Sequence, residues 1–182
     1  QASYRKEDDN FYPFPYYNAG TPRGSKGVYF AASQQNFEVS SLKALFAKQW
    51  DSLKLTYGVD IDRERFNAEQ TTFEARTSSS SGGLDLNEAS KAARYPSYRV
   101  DGLSAYAQLD WHLTDNLTLS GGARRQQMDV DVSDFKGVPG GSNDYQVNLF
   151  NIGAIYDFKN GHQVWANYGE GFDLPDPAKY YG

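Results

Sequence analysis

The side chains best suited to bind a ligand form two aromatic groups, each accompanied by arginine. The predicted contact residues are Tyr12, Phe14, Tyr16, Tyr17, Arg23, Arg94, Tyr95 and Tyr98. Aromatic rings offer a large, stiff contact area, and a guanidinium group adds a planar positive charge that suits an anion. Both groups are expected to lie in loops. The alternative reading, that these rings only pack the loops against one another, stays open at this point.

No arrangement of residues predicts catalysis or a bound metal. His112 and His162 are the only histidines, and neither has a companion at the spacing of a metal site. Asp129, Asp131 and Asp134 lie close together, but the glycine and terminal glutamate of a calcium-binding loop are missing. We therefore predict a protein that is not an enzyme, with no catalytic residue, no metal ligand and no cofactor.

Composition narrows the class of protein. The chain has 182 residues, a formal net charge of -5 and no cysteine. An acidic balance without a basic stripe argues against nucleic acid as a partner, and the lack of cysteine excludes a disulfide-stapled fold. Aromatic residues make up 15% of the chain, with 14 Tyr and 11 Phe. Tyrosine favours strands and boundaries between apolar and aqueous surroundings.

The elements that must position these groups are strands with two different faces. From Leu103 to Leu113 the odd-numbered residues are apolar, and the even-numbered ones, such as Gln108 and Asp110, are mostly polar. Residues 53–62 show the same alternation, with Lys54 on the polar side. Because successive side chains of a strand point to opposite faces, each segment has one apolar and one polar side.

Extended along the chain, this pattern predicts about seven strands. They cover residues 1–6, 28–49, 53–62, 103–113, 117–132, 145–158 and 162–172. Tight turns at 50–52, 114–116 and 159–161 alternate with long loops at 7–27, 64–99 and 134–144. A short helix is expected at 86–93, and a β-bulge at 124–127 is expected where the alternation changes phase.

Short turns at one end and long loops at the other are typical of a transmembrane β-barrel. The fold class predicted here is therefore an all-β, antiparallel barrel of which this chain supplies a part. In such a barrel the apolar side of each strand faces lipid, and the aromatic residues can also mark the membrane interface. A soluble β-sandwich that binds carbohydrate through its aromatic loops is the alternative, and it would bury the apolar side instead.

Two segments carry a resemblance to a known family. The sequence QVWANYGEGFDLPD at 163–176 resembles a strand and the following outer loop in the barrels of TonB-dependent ferric-siderophore receptors. The segment LSAYAQ at 103–108, followed by LTLSGGAR at 117–124, is similar to another strand–turn–strand unit of the same barrels.

The resemblance implies an outer-membrane barrel of about 22 strands that imports a ferric siderophore or a haem-like iron chelate. Its implied partners are the lipid bilayer and TonB, which acts through a plug domain inside the barrel. This sequence shows no plug and too few strands, so we expect residues 1–182 to be an internal part of one barrel domain. Another outer-membrane barrel, either a passive porin or a barrel enzyme, is the remaining alternative.

Overall fold

The computed structural model describes residues 1–18 and 27–174, which form an antiparallel sheet with one short helix. The elements are β1 (Ala2–Asn18), β2 (Gly27–Gln49), β3 (Leu53–Phe73), α1 (Ala75–Ser80), β4 (Glu88–Ala93), β5 (Tyr98–His112), β6 (Leu117–Val132), β7 (Gly141–Asp157) and β8 (Gln163–Gly169).

The sheet follows the order of the chain. Its strands lie in the order β1-β2-β3-β5-β6-β7-β8, and β4 pairs with the far end of β3. Every pairing is antiparallel. The predicted all-β antiparallel class is confirmed, with eight strands in the described part of the chain rather than about seven. The sheet is open, so β1 and β8 each have one edge without a neighbouring strand.

The first strand is much longer than predicted. β1 continues through residues 7–18, where a loop was expected, and pairs with β2 along this length. The register shifts between Phe11 and Phe14, which places Pro13 within a bulge. Proline is tolerated at bulges and on edge strands because no ladder hydrogen bond to its nitrogen is needed there. The prolines therefore exclude a central strand but not this edge strand.

The segment 64–99, expected to be one long loop, is largely ordered instead: β3 continues to Phe73, and α1 and β4 follow it. The helix lies at Ala75–Ser80, and the segment predicted to be helical forms β4, so that prediction was wrong. β4 pairs with residues 69–73 of β3, beyond the point where the β3–β5 pairing ends at Phe66. It thereby covers backbone groups that β3 would otherwise expose. Within the described residues, no helix is long and apolar enough to cross a membrane.

The predicted bulge at 124–127 is absent. β6 keeps continuous register with both β5 and β7 through these residues. The alternation changes because the apolar residues of β6 are odd-numbered up to Ala123 and even-numbered from Met128, so they switch from one face of the sheet to the other. Residues 141–144 also belong to β7 rather than to the preceding loop.

The two faces of the sheet differ in burial. We call the face that carries Leu55, Val59 and Leu109 the outer face, and the face that carries Asp60 and Ser104 the inner face. The most buried strand residues all lie on the inner face: Ala31, Ser33, Asp60, Phe66, Ala68, Ser104, Met128 and Val130.

Candidate ligand-binding site

The outer face carries a continuous band of exposed apolar residues, here called the apolar band. Its members on the central strands are Leu42, Ala44, Phe46, Leu53, Leu55, Tyr57, Val59, Ile61, Leu103, Ala105, Ala107, Leu109, Trp111, Leu117, Leu119, Ala123, Phe150, Ile152, Ala154 and Tyr156. Most of the large side chains are solvent-exposed, including Ile61 and Leu103, and the others, such as Leu55 and Leu119, are half-buried. The register aligns these residues across neighbouring strands, so the band crosses the sheet from β2 to β7.

The band ends abruptly on the side of the long connections. On β3, Ile61 is followed on the same face by Arg63, and on β5 Leu103 is preceded by Asp101. On β6 the change comes between Ala123 and Arg125. β3, β5 and β6 therefore each pass from an apolar to a charged outer face within two residues.

Beyond the band, charged side chains on β3, β5 and β6 form a ladder, here called the charged ladder, that Ser142 extends to β7. Arg63 Nε donates a hydrogen bond to Asp101, and Arg99 Nε lies 3.1 Å from the other Asp101 oxygen. Arg99 also lies 2.5 Å from Asp131, which accepts a hydrogen bond from the Ser142 hydroxyl. The Ser142 hydroxyl, followed by the Arg99 guanidinium, lowers the pKa of Asp131. The outer face here suits an aqueous surrounding.

Near the charged residues of the outer face, the inner face of the sheet is aromatic instead. Phe37, Phe66 and Tyr98 lie side by side in register on β2, β3 and β5, and we call them the mouth row. The ring centroids of Phe37 and Phe66 are 4.8 Å apart, and those of Phe66 and Tyr98 are 5.0 Å apart. The Tyr98 hydroxyl donates a hydrogen bond of 2.8 Å to Glu64. The row forms a rigid aromatic surface at the end of the sheet from which the long connections leave.

The second predicted group is held against this end of the sheet. The Arg94 backbone N–H donates to the Ala68 carbonyl at 2.9 Å, and its guanidinium donates to the Ser33 hydroxyl. The guanidinium carbon also lies 5.2 Å from the centroid of the Tyr95 ring. The next residue, Pro96, is fully buried. The buried Pro96 and the two hydrogen bonds thus hold Arg94 in place, with the Tyr95 ring beside its guanidinium.

The first predicted group lies on β1 rather than in a loop. Tyr16 stacks on Tyr29 at 5.6 Å and meets Phe14 edge to face at 6.0 Å. Tyr12 is 89% exposed, and Tyr17 is also exposed. Arg23 lies outside the described residues.

Residues of β2 connect the two groups. Phe14 pairs with Ala31, and Ser33, two residues along the same face, holds Arg94. The structure therefore brings Phe14 and Tyr16 to the same end of the inner face as Arg94, whereas Tyr98 belongs to the mouth row.

Sequence reasoning missed the partners Phe37 and Phe66, because Phe37 is a single aromatic residue in a long strand and Phe66 falls in the segment 64–99 that was expected to be a loop. A signal was present in β6, where Met128, Val130 and Val132 place apolar residues on the even, inner face. This reversal of polarity was interpreted as a bulge. Interpreted instead as a switch of the apolar residues from the outer to the inner face, the same pattern predicts an apolar inner surface beyond the band.

The part of the chain that the structure describes places no metal-binding cluster at this site. Across residues 1–18 and 27–174, no group of three or more His, Asp and Glu side chains is placed to hold a metal ion. His112 Nδ1 lies 2.9 Å from the Thr118 hydroxyl, at the opposite end of the sheet from the mouth row.

The strands form an antiparallel sheet in chain order, with an exposed apolar band on the outer face and the most buried residues on the inner face. This arrangement is that of part of a β-barrel wall. The chain belongs to the family described as TonB dependent receptor-like, beta-barrel, which matches residues 1–182.

Three curated relatives match the whole chain. It is 40% identical over 200 residues to the rhizobactin receptor of Rhizobium meliloti (strain 1021). It is 36% identical to the ferric aerobactin receptor of Klebsiella pneumoniae and 34% identical to that of Escherichia coli. The chain spans only 26%, 27% and 27% of these proteins, respectively.

A solved structure supports the fold. The copper transporter OprC matches 96% of this chain and 27% of its own with a TM-score of 0.74. Because the two sequences are only 17% identical, this similarity concerns the fold alone.

Proposed function

We propose that this chain forms part of the barrel of a bacterial outer-membrane receptor that imports a ferric siderophore in a TonB-dependent manner. The observation that carries the proposal is family membership over residues 1–182, together with siderophore receptors as relatives at 34–40% identity. The receptor binds and transports its ligand without making or breaking a covalent bond. A plug domain and further strands, outside these residues, complete the barrel.

The apolar band faces lipid in this proposal. Residues 53–61 of β3 extend the band over a length that matches the 9–11 tilted residues a transmembrane strand needs. Exposed large apolar side chains on one face, bounded by charge within two residues, support a bilayer rather than a second sheet as the covering medium. The charged ladder then lies in the aqueous region outside the membrane.

The ligand is proposed to bind at the inner face beyond the band. Arg94 has no acidic partner within 4.0 Å among the described residues. Its guanidinium is therefore available to an anionic group of a ferric chelate, with Tyr95 beside it. Of the predicted contacts, Phe14, Tyr16 and Tyr98 supply aromatic surface on the same face, whereas Tyr17 pairs with Val28 and lies on the outer face, and Tyr12 lies in the bulge of β1. A haem-like chelate would suit the same surface and is the alternative ligand.

Binding measurements on the full-length protein test the site. We expect purified receptor in detergent to bind ferric rhizobactin or ferric aerobactin, and Arg94→Gln to weaken binding about tenfold or more because a charge-assisted hydrogen bond is lost. Arg65→Gln is the matched control, since Arg65 lies on the outer face beyond the band. Equal affinity of the Arg94→Gln variant and the wild type would remove Arg94 from the site, and failure to bind either chelate or haem would contradict the proposal.

Energy dependence separates the receptor from a passive porin. We expect uptake of radiolabelled ferric siderophore by cells to stop when TonB is deleted, because transport through a plugged barrel needs energy from the inner membrane. Uptake that continues unchanged in the deletion strain would favour the porin.

A further inference from the structure

Ser33 is a buried polar residue on the inner face of β2, beside the proposed ligand site. Its hydroxyl accepts a hydrogen bond from Arg94 Nη1, and the residue is only 7% exposed. In register it lies between Phe11 of β1 and Gln70 of β3. Ala31, two residues away on the same face, is also buried. Strand pairing on both sides therefore fixes the hydroxyl at one point of the wall, and the hydroxyl in turn holds the guanidinium.

Arg94 differs from the other described arginines of the inner face in the charge of its partner. Arg5 lies 3.7 Å from Glu7, and Arg124 lies 3.3 Å from Asp60. The described residues place no carboxylate within 4.0 Å of Arg94, and they give its guanidinium one hydrogen bond, the one to the serine hydroxyl. A hydroxyl carries no net charge, so this bond orients the guanidinium and leaves its positive charge uncompensated.

A guanidinium held in this way is suited to an anionic ligand. Arg94 is half-buried, and a cation that loses water without gaining a counter-ion is unfavourable. A guanidinium has five N–H donors in a planar fork, and this fork matches the two oxygens of a carboxylate. An anionic ligand would therefore supply both the missing charge and acceptors for the remaining donors, whereas a neutral ligand would leave the charge uncompensated.

We propose that Ser33 is a positioning residue that holds Arg94 without neutralising it, and that the site thereby selects anionic ferric chelates over neutral ones. An acidic residue in place of Ser33 would pair with Arg94 and cancel the charge that the ligand needs. An alanine would leave the charge but release the guanidinium, and a mobile side chain loses conformational freedom when it binds a ligand. Serine avoids both costs because its hydroxyl is an acceptor without charge.

This inference rests on the proposed function, because that function requires a ferric chelate at the inner face. It adds the charge class of the chelate and the residue that sets this preference. A purely structural role for Ser33, in which its hydrogen bond only ties residues 94–96 to the wall, predicts a different result. In that case removal of the hydroxyl would disturb the site whether or not the guanidinium is present.

A double-mutant cycle on the full-length receptor in detergent tests the positioning role. The probe is the chelate that the wild type binds, ferric rhizobactin or ferric aerobactin. We expect Ser33→Ala to weaken binding about fivefold, the effect of losing one net hydrogen bond, and to have no effect when Arg94→Gln is already present. An equal loss of affinity in both backgrounds, or no loss in either, would overturn the positioning role.

Two substitutions of nearly equal size test the charge. Ser33→Asp and Ser33→Asn introduce side chains of similar shape, and only the aspartate compensates the charge of Arg94. We expect Ser33→Asp to bind the chelate about tenfold more weakly than Ser33→Asn, because the charge-assisted bond to the ligand is weakened. If these larger side chains prevent membrane insertion, a sodium chloride titration decides the point. The affinity of the wild type should then fall more steeply with salt than that of Arg94→Gln.

The outcomes separate this inference from the proposed function. Loss of affinity in Ser33→Ala only where Arg94 is present, together with weaker binding by Ser33→Asp than by Ser33→Asn, would support the inference. Equal affinity of the aspartate and asparagine variants, or equal salt dependence of the wild type and Arg94→Gln, would overturn the selection of an anion while ferric chelate binding stands. Failure of the wild type to bind a ferric chelate would overturn the proposed function itself.

Discussion

Tyr98 contributes to the mouth row through both its ring and its hydroxyl. The ring stacks on Phe66, and the hydroxyl donates to Glu64 on the same strand as Phe66. Phe66 is 5% exposed and sits between Phe37 and Tyr98. Packing should therefore contribute more to stability than the single hydrogen bond.

Two substitutions separate these contributions. We expect Phe66→Ala to lower the free energy of unfolding by about 3–5 kcal/mol, the cost of removing a buried ring. Tyr98→Phe should lower it by only about 1 kcal/mol because stacking remains. Equilibrium unfolding of the full-length receptor in urea would measure both. Equal losses would contradict the dominance of ring packing.

The space at Gly58 is too small for a larger residue, because Ala44 and Tyr106 lie close to it. An added Cβ would contact the Ala44 carbonyl oxygen and come within 2.7 Å of the Tyr106 hydroxyl. At Gly121 an added Cβ would lie 3.9 Å from the nearest atom, the Asn151 carbonyl oxygen, which is an ordinary van der Waals distance.

We expect Gly58→Ala to destabilise the barrel by about 1–3 kcal/mol through overpacking. Gly121→Ala should be nearly neutral and serves as its control. Urea unfolding in detergent compares the two variants, and a neutral Gly58→Ala would mean that Tyr106 and the strand shift without cost.

At the scale of the element, β6 shows how one strand serves two surroundings. Its odd residues are apolar at Leu117 and Leu119, and its even residues are apolar at Met128 and Val130. Continuous register means that the same face is apolar in one half and charged in the other. A membrane outside the first half and water outside the second would require this arrangement.

The proposed lipid contact predicts an asymmetry between the faces of β3. We expect Val59→Arg on the outer face to cost about 2–4 kcal/mol of folding free energy, because the charge would enter the bilayer. Thr56→Arg on the inner face should be tolerated, since that face is not exposed to lipid. Refolding of the full-length barrel into lipid vesicles measures both, and equal costs would argue against a bilayer on the outer face.

At the scale of the whole molecule, the sheet has edges that nothing described here covers. β1 lacks a neighbour on one side, and β8 pairs only with residues 151–157 of β7. Unpaired backbone groups are costly in hydrocarbon and promote edge-to-edge association in water. Additional strands of a barrel would satisfy both edges.

We therefore expect residues 1–182, expressed alone, to aggregate or fail to fold in buffer without detergent. Sedimentation and circular dichroism would detect this. The full-length receptor extracted in detergent is the control and should be monodisperse and rich in β structure. A soluble, monomeric, β-rich fragment would instead support the soluble sandwich.

Much of this architecture was predictable because strand alternation is a local property. Consecutive residues alone define the apolar and polar sides of segments 53–62 and 103–113, and they also define the tight turns between strands. The aromatic residues of β1 are evident from the sequence, but their strand is not. Proline is compatible with an edge strand, and only the tertiary structure places β1 at the edge of the sheet.

The sequence by itself determined two-faced antiparallel strands and a family resemblance that the comparisons bear out. Only the tertiary structure decided which distant residues meet. Register joins Phe37, Phe66 and Tyr98 into one row, and it brings Arg124 to Asp60 across 64 positions of sequence. Such contacts depend on pairing between whole strands, and no short stretch of sequence specifies that pairing.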